Sequence, residues 1–299
     1  MQTPDVIFPN IGITINNLNR VAISIFGASI YWYAIFVLLG ITAGVALALW
    51  NVKRCGGNVT LYSDFGYIVI PACIVGTRLF FVIFNWDMYR DAPLTIITEF
   101  GTGLAIFGAI ITAFLTAVIY CRVKKESFFK FVDLGIIGLP VGQAIGRWGN
   151  FFNREAFGAY TDSFFAMQYR LSEVNSNAVT DEMRANLVFR HYEDTYDITH
   201  IVQYISVHPT FLYESLWNIG TVILLYVFCK RRKFDGQIAA MYLLLYGIGR
   251  FWIESLRTDQ LTAGSLPISQ VLAALAAIGG AGYIAINIYT NHRRRKKAL

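Results

Sequence analysis

Ile30-Tyr-Trp-Tyr-Ala-Ile-Phe-Val-Leu-Leu-Gly-Ile-Thr-Ala-Gly-Val-Ala-Leu-Ala-Leu-Trp50 runs without one charged residue. A helix rises about 1.5 Å per residue, so roughly 20 apolar residues cross the hydrocarbon core of a bilayer. Ile268 to Tyr289 passes the same test, again with no charge. Five further runs qualify less cleanly: Tyr67 to Phe84 with Arg78 inside it, Leu104 to Tyr120, Phe131 to about Arg147, Thr210 to Cys229 with Glu214, and Ile238 to Glu254 with Arg250 and Glu254. The expected fold is an all-α integral membrane protein with seven transmembrane helices. Composition points the same way. Of 299 residues 56% are hydrophobic and 15% charged, and mean hydropathy is +0.49, whereas about a quarter of a soluble domain is charged.

Seven crossings put the two chain ends on opposite faces, and basic loops mark the cytoplasmic one. Lys53, Arg54, Arg122, Lys124, Lys125, Lys130, the run from Lys230 to Lys233 and the run from Arg293 to Lys297 make fifteen of the 25 Lys and Arg. Alternating topology assigns all of them to one face, so the N-terminus is expected outside and the basic tail inside. The longest polar segment, Asn153 to Val207, then falls outside and holds eight acidic against four basic residues. Its aromatics Phe157, Tyr160, Phe164, Phe165 and Tyr169 argue for a small folded extracytoplasmic head near the membrane surface. Residues 1–29, with Arg20 as their one basic residue, read as an outer hairpin or amphipathic arm. The whole chain, 1–299, reads as a single polytopic membrane domain with 1–29 and 153–207 as outer subregions.

These features exclude other classes. The net charge of +6 comes from cytoplasmic anchoring and offers no folded basic face for nucleic acid. Cys55, Cys121 and Cys229 fall at inner membrane edges and Cys73 within a span, so neither a disulfide framework nor a metal site is expected, and no cofactor is implied. Met1 to Val6 lacks a basic n-region, which leaves the first span to act as the insertion signal.

Five ionisable residues interrupt the apolar runs: Arg78, Arg147, Glu214, Arg250 and Glu254. A charge at the bilayer centre costs a few kcal/mol, so such residues face a polar cavity, pair with each other or hold a ligand. Gly135, Gly138, Gly142, Gly146 and Gly149 form a helical stripe that suits close helix packing. Packing does not account for Arg147, Asn150, Asn153, Arg154 and Glu155, which follow at the outer end of that helix. A guanidinium fork matches phosphate oxygens, which makes Arg147 a candidate ligand for a lipid phosphate. Arg250 and Glu254 are four apart on one helical face. They form either a self-satisfied pair or a second anion-facing position in which Glu254 orients Arg250. Pro209 suits a helix start, with Glu214 one to two turns in. His208 is an interfacial residue or a site residue. Tyr31, Trp32 and Tyr33 form an aromatic belt, in which a buried Tyr33 phenol would need a polar partner.

At these residues the chain resembles a known family. Gly146-Arg-Trp-Gly-Asn-Phe-Phe-Asn-Arg-Glu-Ala-Phe-Gly158 is similar to the signature of the bacterial prolipoprotein diacylglyceryl transferases. The resemblance extends to Tyr31-Trp-Tyr33, Gly76-Thr-Arg78, His208-Pro-Thr-Phe-Leu-Tyr-Glu214 and Gly249-Arg-Phe-Trp-Ile-Glu254, in the family's order. It implies transfer of the diacylglyceryl group of phosphatidylglycerol to the lipobox cysteine of a prolipoprotein signal peptide, with release of glycerol phosphate, in a bacterial cell membrane. It further implies that Arg147 holds the lipid phosphate, with Asn150, Glu155 and Gly158 shaping that site. Arg250 and Glu254 form a second essential pair, and Tyr33 and Glu214 line the cavity. On this basis Arg147, Arg250, Tyr33 and Glu254 are the catalytic candidates, and Arg78, Asn150, Glu155, Gly158, Glu214 and His208 join Arg147 as substrate-binding candidates.

The chain departs from the family at one place. Gly103-Leu-Ala-Ile-Phe-Gly-Ala109 carries Phe107 where many members have His and some have Tyr. Phenylalanine cannot take a proton. A cysteine thiol with a pKa of about 8.5 is already a few per cent thiolate at neutral pH, so either another group takes the proton or none is needed. The rival class is a secondary transporter of an anionic or lipid-like substrate, since intramembrane charges and Gly-rich helices also mark transporters. The charges cluster toward the outer face and no internal repeat relates the halves, which weighs against it.

Overall fold

The computed structural model describes residues 3–98, 103, 105–193, 199–260, 262–263 and 266–297; Leu104, expected to open the third span, and Leu299 lie outside the described residues. The chain is mostly helical. Among the described residues six helical segments are long and apolar enough to cross a membrane. They are α1 (Trp32–Arg54), α2 (Val59–Phe84), α4 (Ile106–Lys124), the continuous pair α5 (Phe128–Gly135) and α6 (Gly138–Asn153), α8 (Thr210–Cys229), and the part of α10 (Ile268–Lys297) that ends at Arg293. Helix α9 (Gln237–Leu256) has 20 residues and is not among them. Arg250 and Glu254 dilute its apolar character.

The described chain separates into two compact units, one of Met1–Leu47 with Ile137–Leu299 and the other of Ala48–Ile136. In the second, α2 and α4 touch through their backbones. A Cβ on Gly108 would stand 2.3 Å from the Gly76 carbonyl oxygen, and one on Gly76 would stand 2.0 Å from Thr112 Oγ1. Asn51 Nδ2 donates to Leu134 O (2.9 Å), Tyr62 to Phe131 O (2.8 Å) and Tyr120 to Leu61 O (2.8 Å), so each buried polar tip meets a carbonyl.

In the first unit the expected glycine stripe serves packing. A Cβ on Gly44 would meet Gly138 O at 2.6 Å and one on Gly40 would meet Gly142 O at 3.0 Å, so α1 and α6 lie backbone to backbone. Gly247 and Gly280 do the same for α9 and α10, with added Cβ atoms only 2.4 Å from Ala273 O and 2.5 Å from Ala240 O. Ser215 Oγ donates to Ala144 O at 3.0 Å and ties α8 to α6.

The all-α expectation is corrected by a five-stranded antiparallel sheet in the order β2 (Ile13–Ile15), β1 (Val6–Phe8), β5 (Met167–Arg170), β7 (Thr199–Val207), β6 (Val188–Glu193). Val6 pairs with Tyr169, which pairs in turn with Ile205. Strand β1, from residues 1–29, lies inside the sheet that residues 153–207 build. Three-residue strands with partners some 160 positions away show no local alternation that a sequence reading could catch. Val6, Met167, Tyr169, Met183, Ile205 and Val207 form the core of this sheet with Phe151, Phe157 and Phe211, which anchors it on the ends of α6 and α8. A second hairpin, β3 (Val21–Ile25) and β4 (Ala28–Tyr31), turns through Phe26 and Gly27, both left-handed, and leads directly into α1.

Candidate functional site

The end of α6 and facing positions of α8 and α9 supply a continuous chain of ion pairs. Glu214 on α8 lies between two arginines: its Oε1 is 2.6 Å from Arg147 Nη2 of α6, and its Oε2 is 3.3 Å from Arg250 Nη1 of α9. Arg250 Nη2 stands 2.7 Å from Glu254 Oε2, one helical turn on, close as an ion pair though off line for a hydrogen bond. The carboxylate side chains are 8% exposed for Glu214 and 2% for Glu254. Sequence reasoning anticipated the Arg250–Glu254 pair and the convergence of Arg147 with Arg250. It did not anticipate that Glu214 would join them.

A second chain of contacts runs from Arg147 to Glu155. Arg147 Nη1 donates to Asn150 Oδ1 (3.2 Å), Asn150 Nδ2 donates to Glu155 Oε1 (2.9 Å), and Asn153 Nδ2 donates to the same oxygen (3.2 Å). Glu155 is aimed by its neighbours. Arg154 and Ala156 both sit in the left-handed region, at φ 53° and 57°, which L-residues enter only when surrounding contacts enforce it. Glu155, Asn153, Arg20, Tyr31, Tyr33 and Ala34 line an open cleft of about 400 Å³. The Tyr33 ring packs on Gly149, where a Cβ would come within 2.8 Å of it. Tyr33 is 41% exposed, so the phenol is not buried as the belt reading allowed.

Arg154, grouped by sequence with the candidate anion cluster, belongs elsewhere. It is 4% exposed, donates to Leu18 O at 2.5 Å, and lies 3.5 Å from Asp5 and 3.6 Å from Glu173. Burial lowers its pKa, and Glu173 and Asp5 offset that in part. Arg170 completes the network with Asp5 at 3.0 Å and the Thr3 and Pro4 carbonyls at 2.6 and 3.2 Å. The backbone turn at residue 154 points this side chain away from Arg147 and onto the N-terminal strands.

Gly158, at the end of the signature, is the joint where three elements meet. Its N–H donates to His208 O (3.0 Å), Ala159 N–H donates to Leu256 O (2.7 Å), and His208 N–H donates to Ala159 O (3.1 Å). A Cβ there would stand 2.7 Å from His208 Cβ and 2.9 Å from Leu256 O, so only glycine fits. His208 is half-buried with Nδ1 3.3 Å from the Tyr213 hydroxyl, and burial lowers its pKa. Arg257 was missed. Its Nε lies 3.9 Å from Glu254 Oε2, it forks onto Asp259 at 2.9 Å through two nitrogens, and these carboxylates raise its pKa despite burial. The signal was present: Arg257 is three residues after Glu254, on the same helical face.

Arg78 belongs to the other unit and is 2% exposed. Its guanidinium donates to Ile96 O (3.0 Å), Thr95 O (3.2 Å) and Gly103 O (3.4 Å), and lies over the Tyr89 ring at 5.1 Å. These contacts tie Arg78 to the short helix α3 (Thr95–Thr98) and to Gly103. In the same unit Phe107 packs beside Phe80, ring centroids 6.4 Å apart.

Two arginines from different helices thus meet on one buried carboxylate next to the Gly146–Gly158 signature. The family model described as prolipoprotein diacylglyceryl transferase matches residues 20–286. The chain belongs to this family. Relatives named phosphatidylglycerol–prolipoprotein diacylglyceryl transferase include one from Clostridioides difficile (strain 630), 35% identical over 93% of this chain and 98% of that protein. One from Finegoldia magna is 40% identical over 88% of this chain and 93% of its own length. A third, from Bacillus cytotoxicus, is 36% identical over 95% and 94%. Family membership thus spans both units, and the ion-paired cluster lies in the matched region.

Proposed function

We propose that this protein transfers the diacylglyceryl group of phosphatidylglycerol to the thiol of the lipobox cysteine in prolipoproteins, releasing glycerol phosphate. The observation that carries this reading is the placement of Arg147 and Arg250. Both reach the two oxygens of one carboxylate, so both reach the oxygens of one phosphate. When sulfur displaces the phosphate ester at the glycerol carbon, the leaving phosphate gains negative charge. Two fixed guanidinium groups in a low-dielectric site stabilise that charge as it develops. Glu254 orients Arg250, Asn150 and Glu155 orient Arg147, and Gly158 holds the three elements together. Tyr33 walls the cleft next to Glu155. Arg78, committed to backbone carbonyls, acts as a brace within its own unit and not as a direct ligand, and His208 acts at the Gly158 joint.

The same reading places the protein in the bacterial cell membrane with seven crossings. Helix α9 is the seventh: its two charges neutralise each other, which removes most of the penalty for immersion. The sheet is then the extracytoplasmic head, with the N-terminus outside and the C-terminus in the cytoplasm, as the basic loops require. A reporter inserted near Asn177 should be outside and one fused after Leu299 inside; both on one face would defeat this topology. The activity is tested by incubating purified full-length protein with phosphatidylglycerol and a lipobox peptide. A mass gain of one diacylglyceryl group on the cysteine is expected. Absence of any adduct in folded protein would overturn the reading.

A further inference from the structure

The four charged side chains at the centre of the site, Arg147, Arg250, Glu214 and Glu254, cancel. A neutral buried cluster has no spare positive charge for an anionic lipid. A phosphodiester therefore meets these guanidinium groups only by exchanging with a carboxylate that already holds them. The contacts repeat the charge argument. Arg147 presents one nitrogen to Asn150 and another to Glu214, while Arg250 presents one to Glu214 and another to Glu254. In each arginine one terminal nitrogen is occupied by Glu214.

We infer that Glu214 is a resident counter-ion seated where the phosphate of the substrate binds, and that lipid binding displaces its carboxylate from the two arginines. This rests on the two-arginine reading of the site. A carboxylate offers two oxygens about a common atom, as a phosphodiester offers two non-bridging oxygens, so one exchanges for the other with both arginines still paired. Glu254 is not equivalent: it pairs Arg250 and faces Arg257 but does not lie between the two arginines, so it stays in place and keeps Arg250 aimed. The seat also makes the pocket selective. A lipid headgroup without a phosphate provides nothing to replace the carboxylate, whereas a phosphodiester does.

A ligand that binds only the displaced form is weakened by the fraction of molecules in that form. Such a minor state is typically populated at roughly 10% or less, so removing the competitor should tighten binding by about tenfold or more. The experiment is titration of purified full-length protein, in a neutral maltoside detergent, with a short-chain phosphatidylglycerol followed by calorimetry. Glu214→Gln, which keeps shape and removes charge, should bind more tightly than the wild type by that factor. Glu254→Gln should show no gain. Glu214→Asp, whose shorter carboxylate reaches one arginine at most, should fall between wild type and Glu214→Gln, and it serves if the Gln variant does not fold. Equal or weaker binding in folded Glu214→Gln or Glu214→Asp would make Glu214 a structural brace and overturn the inference while leaving the two-arginine reading intact. If Arg147→Gln binds the lipid as well as the wild type does, the two-arginine reading itself fails, and the counter-ion role fails with it.

Discussion

Two buried arginine networks lie in the same unit, and their partners differ. Arg154 and Arg170 close on backbone carbonyls as well as carboxylates: Leu18 O, Thr3 O and Pro4 O all accept from them. Arg147 and Arg250 have side-chain partners only among the described residues, namely Asn150, Glu214 and Glu254. A carbonyl is fixed by the fold and cannot leave, whereas a carboxylate on a rotatable side chain can be exchanged for another anion. On the function proposed above, the first network braces and the second binds. Arg78, donating to three carbonyls in its own unit, falls with the braces.

The sharpest way to break this division is to replace arginine by lysine in both networks. Lysine keeps the charge but offers a point in place of a planar fork. Arg147→Lys and Arg250→Lys should each lower the transfer rate by about a hundredfold or more, equivalent to roughly 3 kcal/mol of transition-state stabilisation. Arg154→Lys should lower the rate per folded molecule far less. Transfer assays normalised to folded protein decide it, and near-normal rates in the first two variants would erase the distinction.

The converse change should appear in stability. Arg154→Ala strips the Leu18 carbonyl of its donor and leaves Asp5 with Arg170 and the Leu18 N–H, and an unsatisfied buried polar group costs about 2 kcal/mol. The midpoint of thermal unfolding should fall, with the strands β1 and β2 losing amide-exchange protection first. If unfolding is unchanged and transfer is lost, Arg154 belongs with the site after all.

What was legible in the sequence follows the range of the interactions. Apolar runs and charge asymmetry act along a continuous segment, so six of the seven expected spans could be read; the convergence of Arg147 with Arg250, on different helices, was one of two alternatives left open. Arg250 and Glu254 share a helical face, and their pairing was readable too. The sheet was not, because β1 finds β5 across most of the chain and three residues carry no periodicity. Arg154 looked like a site residue because it sits inside the signature. Only the left-handed turn at residue 154 shows that it points toward Asp5. Glu214 as the link between two arginines was invisible for the same reason: helices α6, α8 and α9 meet there, and no spacing within one of them encodes it.

The boundary between brace and site runs through Gly158, and a methyl group there sharpens it. Gly158→Ala would drive a Cβ to 2.7 Å from His208 Cβ and 2.9 Å from Leu256 O. Overpacking of that kind costs about 1–3 kcal/mol, and the backbone at this joint has to give because a carbonyl is among the neighbours. The expected result is a loss of stability together with a weaker affinity for phosphatidylglycerol, since the ends of α8 and α9 shift together. A stability loss with unchanged affinity would place the joint wholly on the bracing side.

The smallest effect concerns His208 beside that joint. Burial holds its pKa below the ordinary histidine value of about 6.5, with the Tyr213 hydroxyl as its neighbour at 3.3 Å. Above that ordinary value the ring is neutral in both folded and unfolded chains, and its burial carries no pH dependence. As pH falls through it, the unfolded chain takes up the proton first, and linkage then lowers the stability of the fold. The wild type should therefore lose thermal stability between pH 7 and pH values below about 6.5, and His208→Gln should lose measurably less over the same interval. Transfer by His208→Gln should stay within a few-fold of the wild type and rise with pH as the peptide thiol ionises, because no enzyme group is assigned to take its proton. A collapse of transfer in His208→Gln, with lipid binding retained, would instead make His208 the proton acceptor that Phe107 cannot be, since proton transfer contributes about a hundred- to ten-thousandfold. That result would move His208 from the bracing side of the boundary into the reacting centre.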